Sequence, residues 1–289
     1  MHILVTGSNG QLGNEIREIA PNYPQYNFIF TDIDELDISK KKNINSFFDN
    51  NKVDCVINCA AYTDVDKAEE DSKNAHLLNV LAVKYLAQAC GKRKIDLMHI
   101  STDYVFDGNN FRPYRETDFT NPHSIYGKTK LEGEEMIEEF ANTAIIIRTS
   151  WLYSSFNNNF VKTMLKYGEE RDELKVVYDQ VGAPTYAADL AKMLVDNIED
   201  LQWINGTHTY HYANEGVCSW YDFAKAIMEL SGTDCKVTPI ETKDYPLPAK
   251  RPAYSIFNKS KIKDNLESIE IPYWKDSLKI CLQKIKENK

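Results

Sequence analysis

The chain has 289 residues, 43% of them apolar and 27% charged, with a net charge of −9; that length buries roughly three-quarters of the unfolded surface, and the balance is ordinary for a globular protein. An acidic surface argues against nucleic acid or an anionic membrane as main partner, while a locally basic pocket for an anionic small molecule stays open. No apolar run approaches the roughly 20 residues that span a bilayer, the N-terminus lacks the features of a signal peptide, and Cys55, Cys59, Cys90, Cys218, Cys235 and Cys281 form no CxxC pair, so the expectation is a reducing, cytoplasmic compartment without cysteine-bound metal.

In chain order, residues 2–5 form a short β-branched run that ends at Thr6-Gly7, and a helix is expected over 12–20, stopped by Pro21. A strand at 27–30, a short helix near 43–50 and a strand at Cys55–Asn58 follow. Helical spacing of Leu78, Leu81, Leu86 and Ala89 marks 75–90, then come a strand at 97–100, a helix over 124–140 and a strand at 144–147. Short apolar strands between amphipathic helices predict an α/β fold with a doubly wound parallel sheet covered on both faces, of the Rossmann type. After Trp151 the alternation fades: Asn157-Asn158-Asn159, Gly182-Ala183-Pro184 and 245–252 read as loops and turns, and 219–230 as a helix. The expected division is therefore a dinucleotide-binding domain over 1–150 and a smaller, mainly substrate-binding α/β part over 151–289, with segments threading back onto the first.

Gly7-Ser8-Asn9-Gly10-Gln11-Leu12-Gly13 sits at the first strand-to-helix junction. Glycines there let backbone turn tightly and approach a pyrophosphate, which the helix N-terminus attracts. A mere tight connection would also use glycine, and the spacing is GxxGxxG. Asp32, nineteen residues after Gly13, can accept hydrogen bonds from an adenosine ribose and repel a 2′-phosphate. That favours NADH over NADPH and leaves both open, since a capping role also suits an aspartate. Asn58-Cys59-Ala60-Ala61 closes the third strand with small residues that a passing cofactor, or simple packing, requires.

Tyr126 and Lys130 stand four residues apart, on one face of the expected helix. Tyrosine is a poor acid–base group at neutral pH, and lowering its pKa by roughly three units requires about 4 kcal/mol, much of which one close ammonium can supply. Upstream, Ile100-Ser101-Thr102-Asp103-Tyr104 ends a strand in hydroxyl groups. In a parallel sheet ligands bind beyond the carboxyl ends of the strands, so these groups converge on the glycine turn.

Together, Gly7-x-x-Gly10-x-x-Gly13, the run from Ser101 to Gly108, and Tyr126-Gly127-Lys128-Thr129-Lys130-x-x-Gly133-Glu134 resemble the extended short-chain dehydrogenase/reductase family. Arg148-Thr149-Ser150-Trp151, Asn158-Asn159-Phe160, Asp179-Gln180-x-Gly182-Ala183-Pro184-Thr185 and Arg251-Pro252 extend the likeness to its dTDP-4-dehydrorhamnose reductase branch over nearly the whole chain. The resemblance implies NADH- or NADPH-dependent reduction of the C4 keto group of a dTDP-4-keto-6-deoxy sugar, the last step towards dTDP-L-rhamnose. Tyr126 would protonate the alkoxide, Lys130 would hold the nicotinamide ribose and lower the Tyr126 pKa, and Thr102 would polarise the carbonyl. Asp103, Tyr104 and Trp151 would contact the sugar and Arg251 the diphosphate. Gly10, Gln11, Leu12, Asp32, Asp37, Ile38, Ala60, Ala61 and Tyr62 would surround the cofactor, with Gly7 and Gly13 shaping its turn.

Two departures stand out. Tyr254 occupies the place where the family has Asn after Arg-Pro-x. Some relatives hold Mg²⁺ between subunits through acidic groups; Glu15 matches one of these, but Ala188 replaces another, so no metal is expected. A nucleotide-sugar substrate, no nucleic acid, no membrane and a homodimer complete the expected partners. The competing readings are a related nucleotide-sugar reductase, a dehydratase or epimerase, and a non-catalytic NAD(P)-binding regulatory subunit. A dehydratase would carry Glu directly after Thr-Asp, where Tyr104 stands, and intact Tyr126, Lys130 and Thr102 argue for catalysis over a binding module.

Overall fold

The structure is a computed structural model that describes residues 1–201, 205–266 and 269–288. The first half alternates as β1 His2–Thr6, α1 Gln11–Ile19, β2 Asn27–Thr31, α2 Lys41–Asn50, β3 Cys55–Asn58, α3 Val65–Glu70, α4 Ser72–His76, α5 Ala82–Arg93, β4 Asp96–Thr102, α6 Ile125–Phe140 and β5 Thr143–Thr149. A π-helical turn, Leu77–Leu81, joins α4 to α5, so the expected helix at 75–90 runs longer than expected and carries one widened turn. The second half contributes β6 Leu152–Tyr153, α7 Phe160–Glu170, β7 Glu173–Val177, β8 Val181–Gly182, β9 Thr185–Tyr186, α8 Ala187–Asp196, α9 Ile198–Leu201, β10 Gly206–His211, β11 Cys218–Ser219, α10 Trp220–Ser231, β12 Lys236–Ile240, α11 Ser260–Asn265 and α12 Trp274–Glu287.

Six parallel strands form the central sheet in the order β10-β5-β4-β3-β1-β2. Side chains alternate across a strand, and the two faces are both apolar, which is the doubly wound architecture expected from the sequence. Ile3, Val5, Ile57, Met98, Ile145 and Ile147 point to one side, against Ile16 of α1 and Leu190 and Leu194 of α8. Leu4, Val56, Leu97 and Ile146 point to the other, against Ile44, Phe48, Val83, Leu86 and Ile137. A separate core gathers Tyr153, Met164, Leu174, Phe223, Ile227, Val237, Trp274 and Leu278 around α7, α10, α12 and the β7–β12 ribbon. The sixth strand, β10, comes from the second half and pairs with β5 from Gly206 opposite Thr143 to His211 opposite Arg148. Its sequence, Gly-Thr-His-Thr-Tyr-His, lacks an apolar run because it lies at the sheet edge. No described helix is long and apolar enough to cross a membrane.

Chain direction reverses between β1 and β3: the chain goes outward to β2, then returns to the other side of β1. The crevice beyond the strand ends at such a reversal is where an open α/β sheet binds ligands. Helix α6 is set over that edge by two devices. Ser124 caps it, accepting from Gly127 N at 3.0 Å, and Glu69 accepts from Ile125 N at 2.8 Å. Further along, Glu134 forms a buried ion pair with Arg148 of β5, at 3.0 Å from Nε and 2.6 Å from Nη2, and also accepts from the Ser101 hydroxyl of β4. Both charged side chains are nearly sealed from water, at 3% and 7% exposure.

Removing one partner of such a pair leaves an uncompensated buried charge, whereas replacing both with apolar groups is close to neutral. Glu134→Leu is expected to lose about 3–5 kcal/mol in urea unfolding, and Glu134→Leu with Arg148→Leu to recover most of that. A single variant with the wild-type midpoint would show the pair to be idle.

Candidate active site

The crevice begins at Thr6. Gly7 turns the chain with φ +64°, and a Cβ there would stand 2.6 Å from the Ala60 backbone. The turn therefore lies flush on the end of β3, and only glycine allows both the angle and the approach. Gly10 donates its N–H to Gly7 O at 3.0 Å and becomes the N-cap of α1, with no side chain capping that end. Gln11 accepts from Asn159 Nδ2 at 3.0 Å, Leu12 enters the core, and Gly13 packs against Ser8. Uncapped N–H groups at a helix start, over small residues, fit a pyrophosphate. Ala60 and Ala61 line the strand end, and Tyr62 has its backbone clamped by the Asn79 amide at 2.8 and 3.1 Å.

Just past the end of β2, Asp32 Oδ2 accepts from Asn9 N at 2.9 Å, so the acid steadies the glycine turn. Arg17 of α1 donates to Ser8 Oγ at 2.8 Å and lies over the Phe30 ring at 5.0 Å. Asp37 is occupied by Ser39 and Lys40, which hold its carboxyl below the usual range. Ile38 is a core residue.

Beyond β4, Tyr126 and Lys130 project from the first turns of α6 and Thr102 ends the strand. Gly127 follows Tyr126 because a Cβ there would meet Tyr104 O at 2.3 Å. The Tyr104 ring packs edge-on against Tyr126, 5.4 Å between centroids. Burial pushes the Tyr126 phenol up to about 12; the Thr102 hydroxyl pulls it back and Asp103 adds to the rise. That direction is opposite to the one a nearby ammonium alone gives. Lys130 is itself buried, donates to Ile100 O at 2.6 Å, and is pushed down to about 8 by burial, against Glu134 and Cys59. Asp103 is buried beside Thr102, which donates to it at 3.1 Å; burial raises its carboxyl to about 6, the Ser255 and Thr102 hydroxyls offsetting part.

From the second half, Trp151 adopts φ +48°, in the left-handed region that non-glycine residues rarely occupy, and stacks on Trp220 at 3.6 Å. Strain of this kind persists where surrounding packing dictates it. Arg251 forms a two-pronged pair with Asp66 of α3, at 3.0 and 2.6 Å, and donates to Ala249 O. Three of its five N–H groups are thereby taken, leaving two for another partner. Tyr254 lies against Tyr114, 6.2 Å between ring centroids, and bridges to Val181. Glu15 is fully buried, paired with Lys284 at 2.9 Å and with the Ser154 hydroxyl at 2.6 Å. Lys284 also pairs with Glu18 at 2.7 Å, and Ala188 adds no ligand; among the described residues no cluster of three potential ligands occurs.

Sequence reasoning missed Asn79, His99, Asp66 and Trp220. Asn79 and His99 interrupt apolar runs, which is a signal for a buried polar role; Asp66 and Trp220 carry none.

Residues 1–287 match the family described as RmlD substrate binding domain. A dTDP-4-dehydrorhamnose reductase from Aggregatibacter actinomycetemcomitans is 40% identical over 287 residues, covering 96% of this chain and 97% of its own. The crystal structure of a dTDP-4-dehydrorhamnose reductase from Clostridium acetobutylicum superposes with a TM-score of 0.94 at 44% identity, over 99% of this chain and 100% of that one. The Bacillus anthracis enzyme of the same name, solved in complex with NADP, gives 0.92 at 37% identity, over 98% and 99%.

The raised Asp103 has a consequence for stability. Its folded value, about 6, exceeds the ordinary 3.8, so the folded state holds this proton more tightly than the unfolded one. The stabilisation that this group contributes is present below pH 3.8 and is lost as pH rises through about 6. Asp103→Asn is expected to remove that component, so the wild-type minus Asp103→Asn stability difference should fall between those pH values in urea titrations. A difference independent of pH would place the titration elsewhere.

Proposed function

The chain belongs to the RmlD substrate binding domain family and is a nicotinamide-dinucleotide-dependent oxidoreductase of the dTDP-4-dehydrorhamnose reductase kind; on that footing we propose that it reduces the C4 keto group of dTDP-4-dehydro-L-rhamnose to give dTDP-L-rhamnose. The observation that carries the reading is the Tyr126 phenol beside the Thr102 hydroxyl beyond β4, with Lys130 one turn further along α6 and with Tyr104, not a carboxylic acid, after Asp103. A dehydratase needs an acid–base group there; simple reduction does not.

A reduced nicotinamide, when bound, supplies the hydride. Gly7, Gly10, Gln11, Leu12 and Gly13 hold the dinucleotide's pyrophosphate at the start of α1, and Ala60, Ala61 and Tyr62 border its path. Thr102 donates to the carbonyl oxygen, so the developing alkoxide is met by a fixed dipole. Tyr126 then gives its proton to that oxygen, and its high proton affinity suits an acid that must arrive loaded. Lys130 holds the nicotinamide ribose and, when charged, lowers the Tyr126 pKa. Asp103, Tyr104 and Trp151 contact the sugar. Arg251, steadied by Asp66, turns its two remaining N–H groups to the diphosphate, which an acidic protein must neutralise locally.

Both cofactors are accepted in this reading, NADH more readily. Asp32 opposes a 2′-phosphate while Arg17, held on the glycine turn by Ser8, offsets part of that repulsion. Asp37 and Ile38 support the adenosine side from behind.

The deciding experiment supplies purified protein with NADH and dTDP-4-keto-6-deoxy-L-mannose and identifies the product sugar by NMR; a returned, unreduced sugar would sink the proposal. Tyr126→Phe is expected to bind NADH normally and to turn over roughly 10²–10⁴-fold more slowly, measured by NADH consumption. Turnover within about threefold of wild type would remove Tyr126 from its role. For the cofactor, Asp32→Ala should raise the ratio of kcat/KM for NADPH to that for NADH, whereas an unchanged ratio would reduce Asp32 to a brace for Asn9.

A further inference from the structure

The half-buried indole of Trp151 is fixed from two sides by one ribbon. Strands β8 and β11 pair antiparallel, Gly182 opposite Cys218 and Val181 opposite Ser219. At the edge of the indole, a Cβ on Gly182 would stand 2.8 Å from Cε2 and 2.9 Å from Cζ2 of Trp151, so the ring lies flush on that glycine. Against its face lies Trp220, the residue that follows β11, with ring centroids 3.6 Å apart and planes 11° from parallel.

Trp220 is itself held. Ser219 and Asp222 cap the start of α10 reciprocally: Ser219 Oγ accepts from Asp222 N at 3.1 Å, and Ser219 N donates to Asp222 Oδ2 at 2.9 Å. Phe160 of α7 packs on the Trp220 ring, 4.6 Å between centroids. The backbone around Trp151, by contrast, settles only its Cα. Its carbonyl accepts from Thr185 N at 3.2 Å, and the Ser150 hydroxyl donates to Ala183 O at 2.8 Å. Neither bond sets the side-chain torsions, which have several staggered positions open to them. The same glycine joins this arrangement to the reaction centre. A Cβ on Gly182 would also stand 2.8 Å from Ser255 Oγ. Ser255 in turn neighbours Asp103, whose carboxyl is raised by burial and partly brought back by the Ser255 hydroxyl.

We propose that Trp220 is a positioning residue for the sugar nucleotide: stacked on one face of Trp151, it holds that indole at the angle at which its other face meets the sugar ring. An aromatic face suits the C–H bonds and the methyl group of a deoxy sugar. An indole free to turn loses that freedom on binding, which weakens the contact; one already stacked does not. The inference deepens the reading of Trp151 as a sugar contact, and rests on it.

Two measurements test this. Stacked indoles couple their strongest transitions and give a paired positive and negative band in far-ultraviolet circular dichroism. The ligand-free protein is expected to show this couplet, and Trp151→Leu and Trp220→Phe to lack it. A couplet absent from the free protein, or gained only with dTDP-L-rhamnose, would overturn the proposal, and this holds even if a Trp220 variant fails to fold. In the second measurement, calorimetry follows dTDP-L-rhamnose and dTDP. Folded Trp220→Leu should bind dTDP-L-rhamnose roughly 2- to 10-fold more weakly, the range of an aromatic pair, with dTDP and NADH bound as before. Trp220→Phe, which keeps a ring on the Trp151 face, should regain most of the loss. No weakening, or a weakening shared with dTDP, would mean that Trp220 only fills space. Trp151→Leu separates the two levels. If it binds dTDP-L-rhamnose as tightly as wild type, Trp151 is no sugar contact and the inference falls with that reading. If it binds more weakly while Trp220→Leu does not, the positioning alone falls. Binding of this ligand needs no turnover, so the outcome is independent of whether the proposed ketone is reduced.

Discussion

The site depends most on the buried ion pair between Glu134 and Arg148. It ties α6 to β5 and, through Ser101, to β4, and α6 carries both Tyr126 and Lys130. Apolar packing alone would hold the helix against the sheet with some freedom to slide along its ridges. A two-pronged contact between planar groups has one geometry, so it sets where the helix stops along its axis. Lys130, about one turn away, and Tyr126, about two turns away, are thereby placed relative to the end of β4. Desolvation of both charges costs free energy that a hydrophobic pair would not, which gives position, more than stability, as what the pair supplies.

Groups whose partners are close in sequence were legible before the fold was known. The glycine turn and the Tyr126–Lys130 spacing are local patterns, and the alternation of β1 to β5 with helices declared a parallel sheet because fully buried strands need unbroken apolar runs. What stayed hidden was made by distance along the chain. Asp66 and Arg251 meet across 185 residues, so nothing local reveals that the arginine already has a carboxylate. β10 escaped because an edge strand is half-solvated and its Thr-His-Thr-Tyr sequence shows no apolar period. The burial of the Tyr126 phenol stayed hidden for a different reason: spacing along a helix says nothing about desolvation, the largest influence on its proton affinity here.

The two halves share the crevice unequally. Asn157 and Asn159 reach the glycine turn, donating to Asn9 O at 2.7 Å and to Gln11 at 3.0 Å. Trp151 and Arg251 approach from the same half, one held in a strained backbone and the other by a charge on α3. The glycine turn of the first half is thus braced by residues of the second.

That β10 is made last among the sheet strands bears on how the protein is synthesised. Translation is vectorial, and β5 leaves the ribosome well before residues 206–211 do. During that interval β5 presents a row of unpaired backbone groups flanked by Ile145, Ile146 and Ile147, the kind of edge that recruits strands from other chains. Closing it requires a contact across more than sixty residues, the sort of long-range pairing that slows folding. The nascent chain is therefore most vulnerable to association in a defined window, and a truncation before Gly206 would leave it there permanently.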